Sequence, residues 1–290
     1  MPEIEIDAMT LGPFGVGHLN GKAVLVAGAA PGDRLDAAIE SDRRGHAAAK
    51  IRAVLRPGPS RRAAPCRFLP RCGGCDWQHL DYAAQVRFKA ETIAREIGRA
   101  IGREIDPAGL VEPASEEFGY RSRVRLQVGP RGALGFHEFG TNRIVEVDSC
   151  LVAWPGMRMP LHLARSLGKR VAEIEVVRAG TREVLVAHLR KPPDAEDLRR
   201  ARHVLEADPQ TAGIVLRSGA HRETVGDAAV TIELEEGLAI QVDADLFSQV
   251  NREQNRNLVA AVMAMAAPRA GIALLELFCG AGNFSLPAAR

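Results

Sequence analysis

The segment Cys66-Arg-Phe-Leu-Pro-Arg-Cys72-Gly-Gly-Cys75 places three thiols within ten residues. Its paired glycines let the backbone turn tightly enough to direct neighbouring sulfurs at one centre. No signal-peptide pattern begins the chain, so we expect reduced cysteines, and clustered reduced thiols favour metal binding over disulfides. Cys150 is the available fourth ligand. Zinc and a [4Fe–4S] cluster both accept four cysteines, and buried thiols without a metal are the simpler alternative.

Short strands with glycine punctuation precede the cysteines. Ile4 and Ile6 alternate with acidic residues, and further apolar runs occupy 23–27, 35–39 and 47–55. Glycines separate these runs, and a Pro-Gly-Pro sequence follows the last of them. The pattern predicts a small N-terminal β-barrel, a fold that often binds nucleic acid on one face.

The barrel region leads into a basic block between Arg43 and Arg71. The block holds nine arginine or lysine residues and no aspartate or glutamate, although the whole chain carries 38 basic and 36 acidic residues, for a net charge of +2. Such a block creates a local positive field that attracts polyphosphate. A solvated basic surface without a partner explains the same charges, so charge alone leaves both interpretations open.

Periodic patterns after the cysteines predict a mixed α+β region. A helix is predicted over 81–101, with Asp81 as its N-cap and an apolar face made by Val86, Ala90, Ile93, Ile97 and Ile101. Alternation from 121 to 128 predicts a strand that buries Val124, Leu126 and Val128 and exposes Arg121, Arg123 and Arg125. Further strands are predicted at 132–137, 143–147, 171–177, 183–189, 213–217, 230–235 and 238–242, with helices near 159–168, 194–207 and 249–266.

The last 20 residues begin with a nearly continuous apolar run, 271–278, followed by Cys279-Gly-Ala-Gly-Asn-Phe284. A buried strand that enters a glycine turn and a helix start is typical of the opening of a parallel α/β sheet. Helix-start amides would face a negative group there, although an ordinary strand-to-helix turn explains the motif as well. Because one strand cannot form such a sheet, we expect the 290 residues to be part of a longer protein.

Composition narrows the class of protein. The chain is 46% apolar and 26% charged, with 28 glycines and 17 prolines, which excludes collagen-like, coiled-coil and wholly disordered classes. It has no run of about 18 apolar residues, so we expect no membrane span. We therefore expect a monomeric protein of the cytoplasm.

Taken in order, these motifs resemble the bacterial RNA uracil-C5-methyltransferase family, in its iron–sulfur branch that makes 5-methyluridine in 23S rRNA. The resemblance rests on Leu11-Gly-Pro-Phe-Gly-Val-Gly with Pro31-Gly32, on Cys66 to His79, on Gly119-Tyr-Arg-Ser-Arg-Val-Arg, on Val147-Asp-Ser-Cys150, on Phe247-Ser-Gln-Val-Asn251 and on Leu277 to Phe284. It implies a multidomain chain. A TRAM-type OB β-barrel occupies 1–58, a central α+β domain with a four-cysteine iron–sulfur site 59–245, and the beginning of a class I, Rossmann-like α/β methyltransferase domain 246–290.

The resemblance also implies site residues. The four [4Fe–4S] ligands would be Cys66, Cys72, Cys75 and Cys150. S-adenosylmethionine would be bound by Gln249, Phe278, Gly280, Gly282 and Asn283. RNA would be held by the barrel and by Arg43, Arg44, Lys50, Arg52, Arg121, Arg123 and Arg125, mainly through phosphate contacts.

In the family mechanism a cysteine thiolate adds to uracil C6, C5 then attacks the sulfonium methyl, and a carboxylate base removes the C5 proton. The target uridine is flipped out of its stack. The family's nucleophilic cysteine and base belong after Arg290, and Cys279 matches a non-catalytic position. We therefore expect the 290-residue chain by itself to lack methyl transfer.

Two other functions fit parts of the sequence. A non-catalytic iron–sulfur and TRAM protein that only binds RNA explains the barrel and the cysteines. A dinucleotide-dependent oxidoreductase explains the glycine turn, but it gives no reason for the barrel or for the motif around Gln249.

Overall fold

The computed structural model describes residues 2–290, apart from the side chains of Arg131 and Leu161. The chain divides after Ser115 into two compact units. The first unit contains the barrel region and the three clustered cysteines, and the second contains Cys150 and the glycine turn. The finer three-domain division, with boundaries after residues 58 and 245, stays a prediction.

A closed five-stranded barrel forms the N-terminal part of the first unit, in the order β1-β2-β3-β5-β4. Its strands are β1 (Glu3–Met9), β2 (Phe14–Leu19), β3 (Lys22–Ala27), β4 (Arg34–Asp42) and β5 (Ala47–Arg56). Alternate side chains point inward and form its core, among them Ile4, Ile6, Val24, Val26 and Leu35. The predicted N-terminal barrel is confirmed.

The sequence prediction missed β2 because it assigned the glycines between the apolar runs, Gly15 and Gly17 among them, to the connections between strands. Both glycines lie in the strand, where the barrel leaves no room for a side chain. A Cβ on Gly17 would lie 2.3 Å from the carbonyl oxygen of Glu5, and a Cβ on Gly15 would lie 2.9 Å from the Cβ of Ala29. Glycine at these positions therefore allows a close approach of backbone and core within a narrow barrel.

The sequence 58–62 pairs with 77–81 and closes the cysteine segment into a loop. Arg61 and Leu80 form an antiparallel bridge. The amide of Arg62 donates to the carbonyl oxygen of His79 at 2.8 Å. We call these two paired segments the stem and residues 63–76 the cysteine loop.

Helix α1 (Tyr82–Ile101) follows the stem directly. Asp81 caps it as predicted, because its carboxylate accepts the amide of Ala84 at 2.7 Å. The predicted apolar face is right in part: Ala90 is buried and Val86 and Ile93 are half-buried, but Ile97 and Ile101 are exposed. The face that the helix buries is made by Ala84, Phe88, Ala90, Thr92, Ala94 and Gly98. Small side chains on that face let the helix pack closely, with Phe88 in a cluster that includes Met9 of β1.

A seven-stranded sheet is the centre of the second unit, in the order β12-β11-β10-β9-β6-β7-β8. Its strands are β6 (Arg123–Val128), β7 (Leu134–His137), β8 (Ile144–Glu146), β9 (Val171–Ala179), β10 (Arg182–Leu189), β11 (Thr211–Ser218) and β12 (His221–Gly226). Strands β10 and β11 are parallel, and the chain between them forms helix α3 (Ala195–Ala207). The prediction missed β12, an edge strand that buries only Val225 and so has no apolar alternation.

The remaining elements agree with the predicted mixed α+β region. Helix α2 (Leu161–Leu167) precedes β9, and strands β13 (Ala229–Glu235) and β14 (Leu238–Asp243) form a hairpin. Helix α4 (Arg252–Ala266) and the short helix α5 (Ser285–Ala289) complete the unit. Among residues 2–290, none of the helices has the length and apolar character needed to cross a membrane.

The predicted strand over 271–278 does not form. The segment is irregular, and Leu275, Leu277 and Phe278 are exposed. A buried parallel strand needs neighbours that complete its hydrogen bonds and cover its faces. No strand in residues 2–290 pairs with this segment. The predicted strand is therefore wrong for the described residues, because they contain no sheet edge that pairs with this segment.

Replacing Gly17 with alanine is expected to lower the free energy of unfolding by about 1–3 kcal/mol, because the methyl group forces β1 and β2 apart. Gly45→Ala is the matched control, since beyond Gly45 and its two chain neighbours no heavy atom of residues 2–290 lies within 4 Å of the added Cβ. Its effect should stay below about 0.5 kcal/mol. Urea unfolding measures both, and equal stabilities would contradict the close approach at Gly17.

Candidate functional site

The cysteine loop holds its three thiols at different depths. Cys72 is buried, whereas Cys66 and Cys75 are partly buried. The amide of Gly74 donates to the sulfur of Cys72 at 3.4 Å, and the amide of Cys66 donates to Oε1 of Gln78 at 3.2 Å. The first contact fixes the Cys72 sulfur within the loop, and the second ties the start of the loop to the stem.

A buried carboxylate, Asp33, fixes the stem. It accepts the amides of Ala30 at 2.7 Å and Gly58 at 2.8 Å, and it accepts Nε and Nη2 of Arg61 at 2.8 Å and 2.6 Å. Burial opposes ionisation of Asp33, but the Arg61 guanidinium and the two amides outweigh burial and lower the pKa of this carboxyl. Because Arg61 also donates to the carbonyl oxygen of Gly28 at 2.7 Å, one ion pair joins the barrel to the stem.

The fourth predicted metal ligand lies in the second unit. Cys150 is partly buried in the loop after β8. Within residues 2–290, no three histidine, cysteine, aspartate or glutamate side chains are grouped as a metal ion would require. The assignment of four cysteine ligands stays a prediction.

The predicted RNA-binding residues of the barrel are exposed. Arg43 and Arg44 lie in the turn between β4 and β5, and Lys50 and Arg52 lie on β5, where the register with β4 shifts at Arg52. Among the other members of the basic block, Arg61 and Arg62 have partners in the barrel and the stem. Arg61 pairs with Asp33, and Nε of Arg62 donates to the carbonyl oxygen of Gln78 at 3.1 Å.

The three predicted RNA-binding arginines next to and within β6 differ in their surroundings. The guanidinium of Arg121 lies over the ring of Tyr120, 5.9 Å from its centroid. Arg125 is half exposed and donates to Glu175 at 2.6 Å. Arg123 is largely buried and also pairs with Glu175, at 3.0 Å. The predicted alternation of β6 is confirmed for Val124 and Leu126, which are buried. Val128 is only half-buried, and the predicted exposure of Arg123 is wrong, because its guanidinium faces buried Glu175.

The glycine turn is present as predicted, with Gly280 and Gly282 at φ values of +56° and +87°. A side chain at Gly282 would be strained, and its Cβ would lie 3.0 Å from Cγ of Leu286. The carboxylate of Glu276 accepts the amide of Ser285 at 2.7 Å and so holds the start of α5. Phe278, just before the turn, is fully exposed.

A reciprocal amide pair joins the glycine turn to α4. Nδ2 of Asn255 donates to Oδ1 of Asn283 at 2.9 Å, and Nδ2 of Asn283 donates to Oδ1 of Asn255 at 3.0 Å. Asn255 is buried. Asn251 caps the same helix by accepting the amide of Gln254 at 3.0 Å. The predicted cofactor residue Asn283 is therefore held by the helix that follows the Gln249 motif.

Sequence reasoning missed Asp33, Arg61, Asn255 and Glu175 as positioning residues. For Asp33 a signal was available, since an aspartate after Pro-Gly often bonds to backbone amides of its own turn. The others pair with residues far along the chain, and no local spacing marks them.

No protein-family model matches the sequence. The chain is 32% identical over 306 residues to the 23S rRNA (uracil(1939)-C(5))-methyltransferase RlmD of Pseudomonas putida, and the match covers 99% of this chain and 66% of that protein. It is also 32% identical over 315 residues to the protein of the same name from Thiobacillus denitrificans, with 100% and 70% covered. The chain belongs to the 23S rRNA (uracil-C5)-methyltransferase family. It spans about two thirds of the length of these relatives, and the resemblance found in the motifs is confirmed.

A solved structure shares the fold of this family member. The crystal structure of Pyrococcus abyssi tRNA (uracil-54, C5)-methyltransferase in complex with S-adenosyl-L-homocysteine matches it with a TM-score of 0.70 at 19% identity. The match covers 99% of this chain and 70% of that one. At 19% sequence identity, the similarity to this structure shows a shared fold.

Replacing Asn255 with alanine is expected to loosen the glycine turn, because Oδ1 and Nδ2 of Asn283 both lose their partner. Hydrogen exchange of a peptide covering 276–290 should become about tenfold faster, as expected for a lost pair of hydrogen bonds. Asn257→Ala, an exposed change on the same helix, is the control. Unchanged exchange in the Asn255 variant would show that the pair does not hold the turn.

Proposed function

We propose that the protein transfers a methyl group from S-adenosylmethionine to C5 of a uridine in 23S rRNA. The observation that carries the proposal is 32% identity, along nearly the whole chain, to relatives named for uracil-C5 methylation of that RNA. The fold shared with a tRNA uracil-C5-methyltransferase supports it.

The residues proposed for S-adenosylmethionine are Gln249, Phe278, Gly280, Gly282 and Asn283. The glycine turn fits such a ligand, because positive φ angles and missing side chains let a ligand approach the backbone. Asn283 is fixed by Asn255 and thus presents a preformed edge of the site. When bound, the cofactor supplies an electrophilic methyl group.

The nucleophilic cysteine and the base are assigned to no residue of this chain, and Cys279 keeps no catalytic role.

We propose that RNA is held by the barrel and the basic residues near it. Arg43, Arg44, Lys50 and Arg52 are exposed on the barrel, where they are able to neutralise phosphates. Arg121 and Arg125 add positive charge in the second unit. Such contacts orient an RNA without reading its sequence, so the choice of uridine depends on other features.

We propose that Cys66, Cys72, Cys75 and Cys150 bind a [4Fe–4S] cluster that shapes the RNA-binding region. The donor set fits the group, since soft thiolates suit iron–sulfur clusters and the Gly74 amide already donates to the sulfur of Cys72. Zinc is the alternative for the same four ligands. A cytoplasmic location and a monomeric state are part of the proposal.

Anaerobically prepared protein is expected to contain about four irons per chain and to absorb broadly in the visible range. Cys72→Ala should lose most of the iron, because three thiolates do not complete the site. Cys279→Ala, at an exposed cysteine, should keep it. Colourless wild-type protein with one zinc per chain would overturn the cluster in favour of zinc, whose filled d shell gives no such band.

Disrupting the gene should remove one 5-methyluridine from 23S rRNA, and an intact copy should restore it. Mass spectrometry of rRNA fragments measures the modification. The 290-residue chain supplied alone is expected to bind unmodified rRNA without methylating it. A disrupted strain that keeps every 5-methyluridine would contradict the proposed reaction and favour the RNA-binding alternative.

A further inference from the structure

Residues 244–251 connect β14 to α4 and include Phe247 and Gln249. We call this segment the strap. Arg123 of β6 holds the first part of the strap. Nη2 of Arg123 donates to the carbonyl oxygen of Ala244 at 2.6 Å and to that of Leu246 at 2.8 Å. One guanidinium nitrogen thus fixes two carbonyl groups within the three residues that precede Phe247.

Other side chains hold the same part of the strap and its far end. Asp245, largely buried, accepts Nε of Arg222 at 3.2 Å and Nη1 of Arg217 at 3.4 Å. At the far end the amide and Oγ of Ser122 donate to the carbonyl oxygen of Val250 at 2.8 Å and 3.0 Å. The strap is therefore fixed on both sides of an exposed middle.

The middle of the strap faces solvent. Phe247 is 80% exposed, and Gln249 is exposed two residues later. An exposed aromatic ring and an exposed amide on a backbone fixed at both ends form a preorganised contact surface. Preorganisation lowers the entropy that a ligand must remove on binding.

Arg123 is itself held by buried Glu175. Nη1 of Arg123 donates to Oε2 of Glu175 at 3.0 Å, while Oε1 accepts Nη2 of Arg125 at 2.6 Å and contacts Nε2 of His188 at 2.7 Å. Burial opposes ionisation of Glu175, but these neighbours outweigh burial and lower its pKa to about 2. The carboxylate is charged at neutral pH and keeps the Arg123 guanidinium directed at the strap.

We propose that Arg123 is a positioning residue that holds the strap and thereby preforms the Gln249 side of the cofactor site. The cofactor part rests on the proposed function. The role differs from the phosphate contact predicted from the sequence, because the Arg123 side chain is only 13% exposed and both its terminal nitrogens have protein partners. Arg125, 53% exposed, keeps the predicted role toward RNA.

The test compares Arg123→Gln with Arg143→Gln, which changes an arginine that is 76% exposed and pairs with Glu138. Hydrogen exchange of the strap in the 290-residue chain should become about tenfold faster in the Arg123 variant and stay unchanged in the control. Peptides from β9 and β10 report whether the sheet remains intact. Ser122→Ala removes one hydroxyl donor at the other end, and it should loosen the strap by a smaller factor even if Arg123→Gln fails to fold.

Affinity for an rRNA fragment, measured over a range of salt concentrations, separates the two roles. A positioning residue predicts an unchanged salt slope in Arg123→Gln, whereas a phosphate contact predicts a slope reduced by about one. A reduced slope, or strap exchange equal to the control in both strap variants, would overturn the proposal. Titration of the wild-type chain with S-adenosylhomocysteine tests the cofactor assignment separately. If the chain binds none, the cofactor assignment is contradicted. The hydrogen-exchange result still decides whether Arg123 holds the strap.

Discussion

The ion pair between Asp33 and Arg61 is the constraint on which the first unit depends. A fully buried carboxylate is tolerated because four nitrogen donors replace its water, two of them backbone amides and two from one guanidinium. Removing one partner of such a pair typically costs about 3–5 kcal/mol. Because the folded state lowers the pKa of Asp33, its contribution to stability is present at neutral pH and is lost as the pH falls through that lowered value.

The second unit uses a buried acid in the same way. Glu175 gathers Arg123, Arg125 and His188 from the two strands next to its own. In the first unit the acid holds the stem of the cysteine loop, and in the second it holds the arginine that fixes the strap. The exposed groups proposed to meet iron, cofactor and RNA therefore lie on segments that buried charges keep in place, which is the support a functional site needs.

Local patterns in the sequence predicted those parts of the fold that local forces decide. The Asp81 cap, the alternation of Val124 and Leu126 and the glycine turn all depend on residues a few positions apart. The apolar face of α1 was mispredicted at Ile97 and Ile101, and strand β2 was missed. In both places the space left by neighbouring elements decided which side chains fit. The pairs of Asp33 with Arg61, Asn255 with Asn283 and Arg123 with Glu175 join residues 28, 28 and 52 positions apart. Only the tertiary structure brings these residues together, so the periodicity of apolar residues along the sequence does not predict the pairs.

The irregular segment 271–278 has a consequence for synthesis of the protein. Its leucines and Phe278 emerge in a run that suits a buried strand, yet no strand of residues 2–290 covers them. Until something shields such a run, it is a site at which two nascent copies adhere to each other. Association through this run during synthesis would lower the yield of dispersed protein without any change in the barrel.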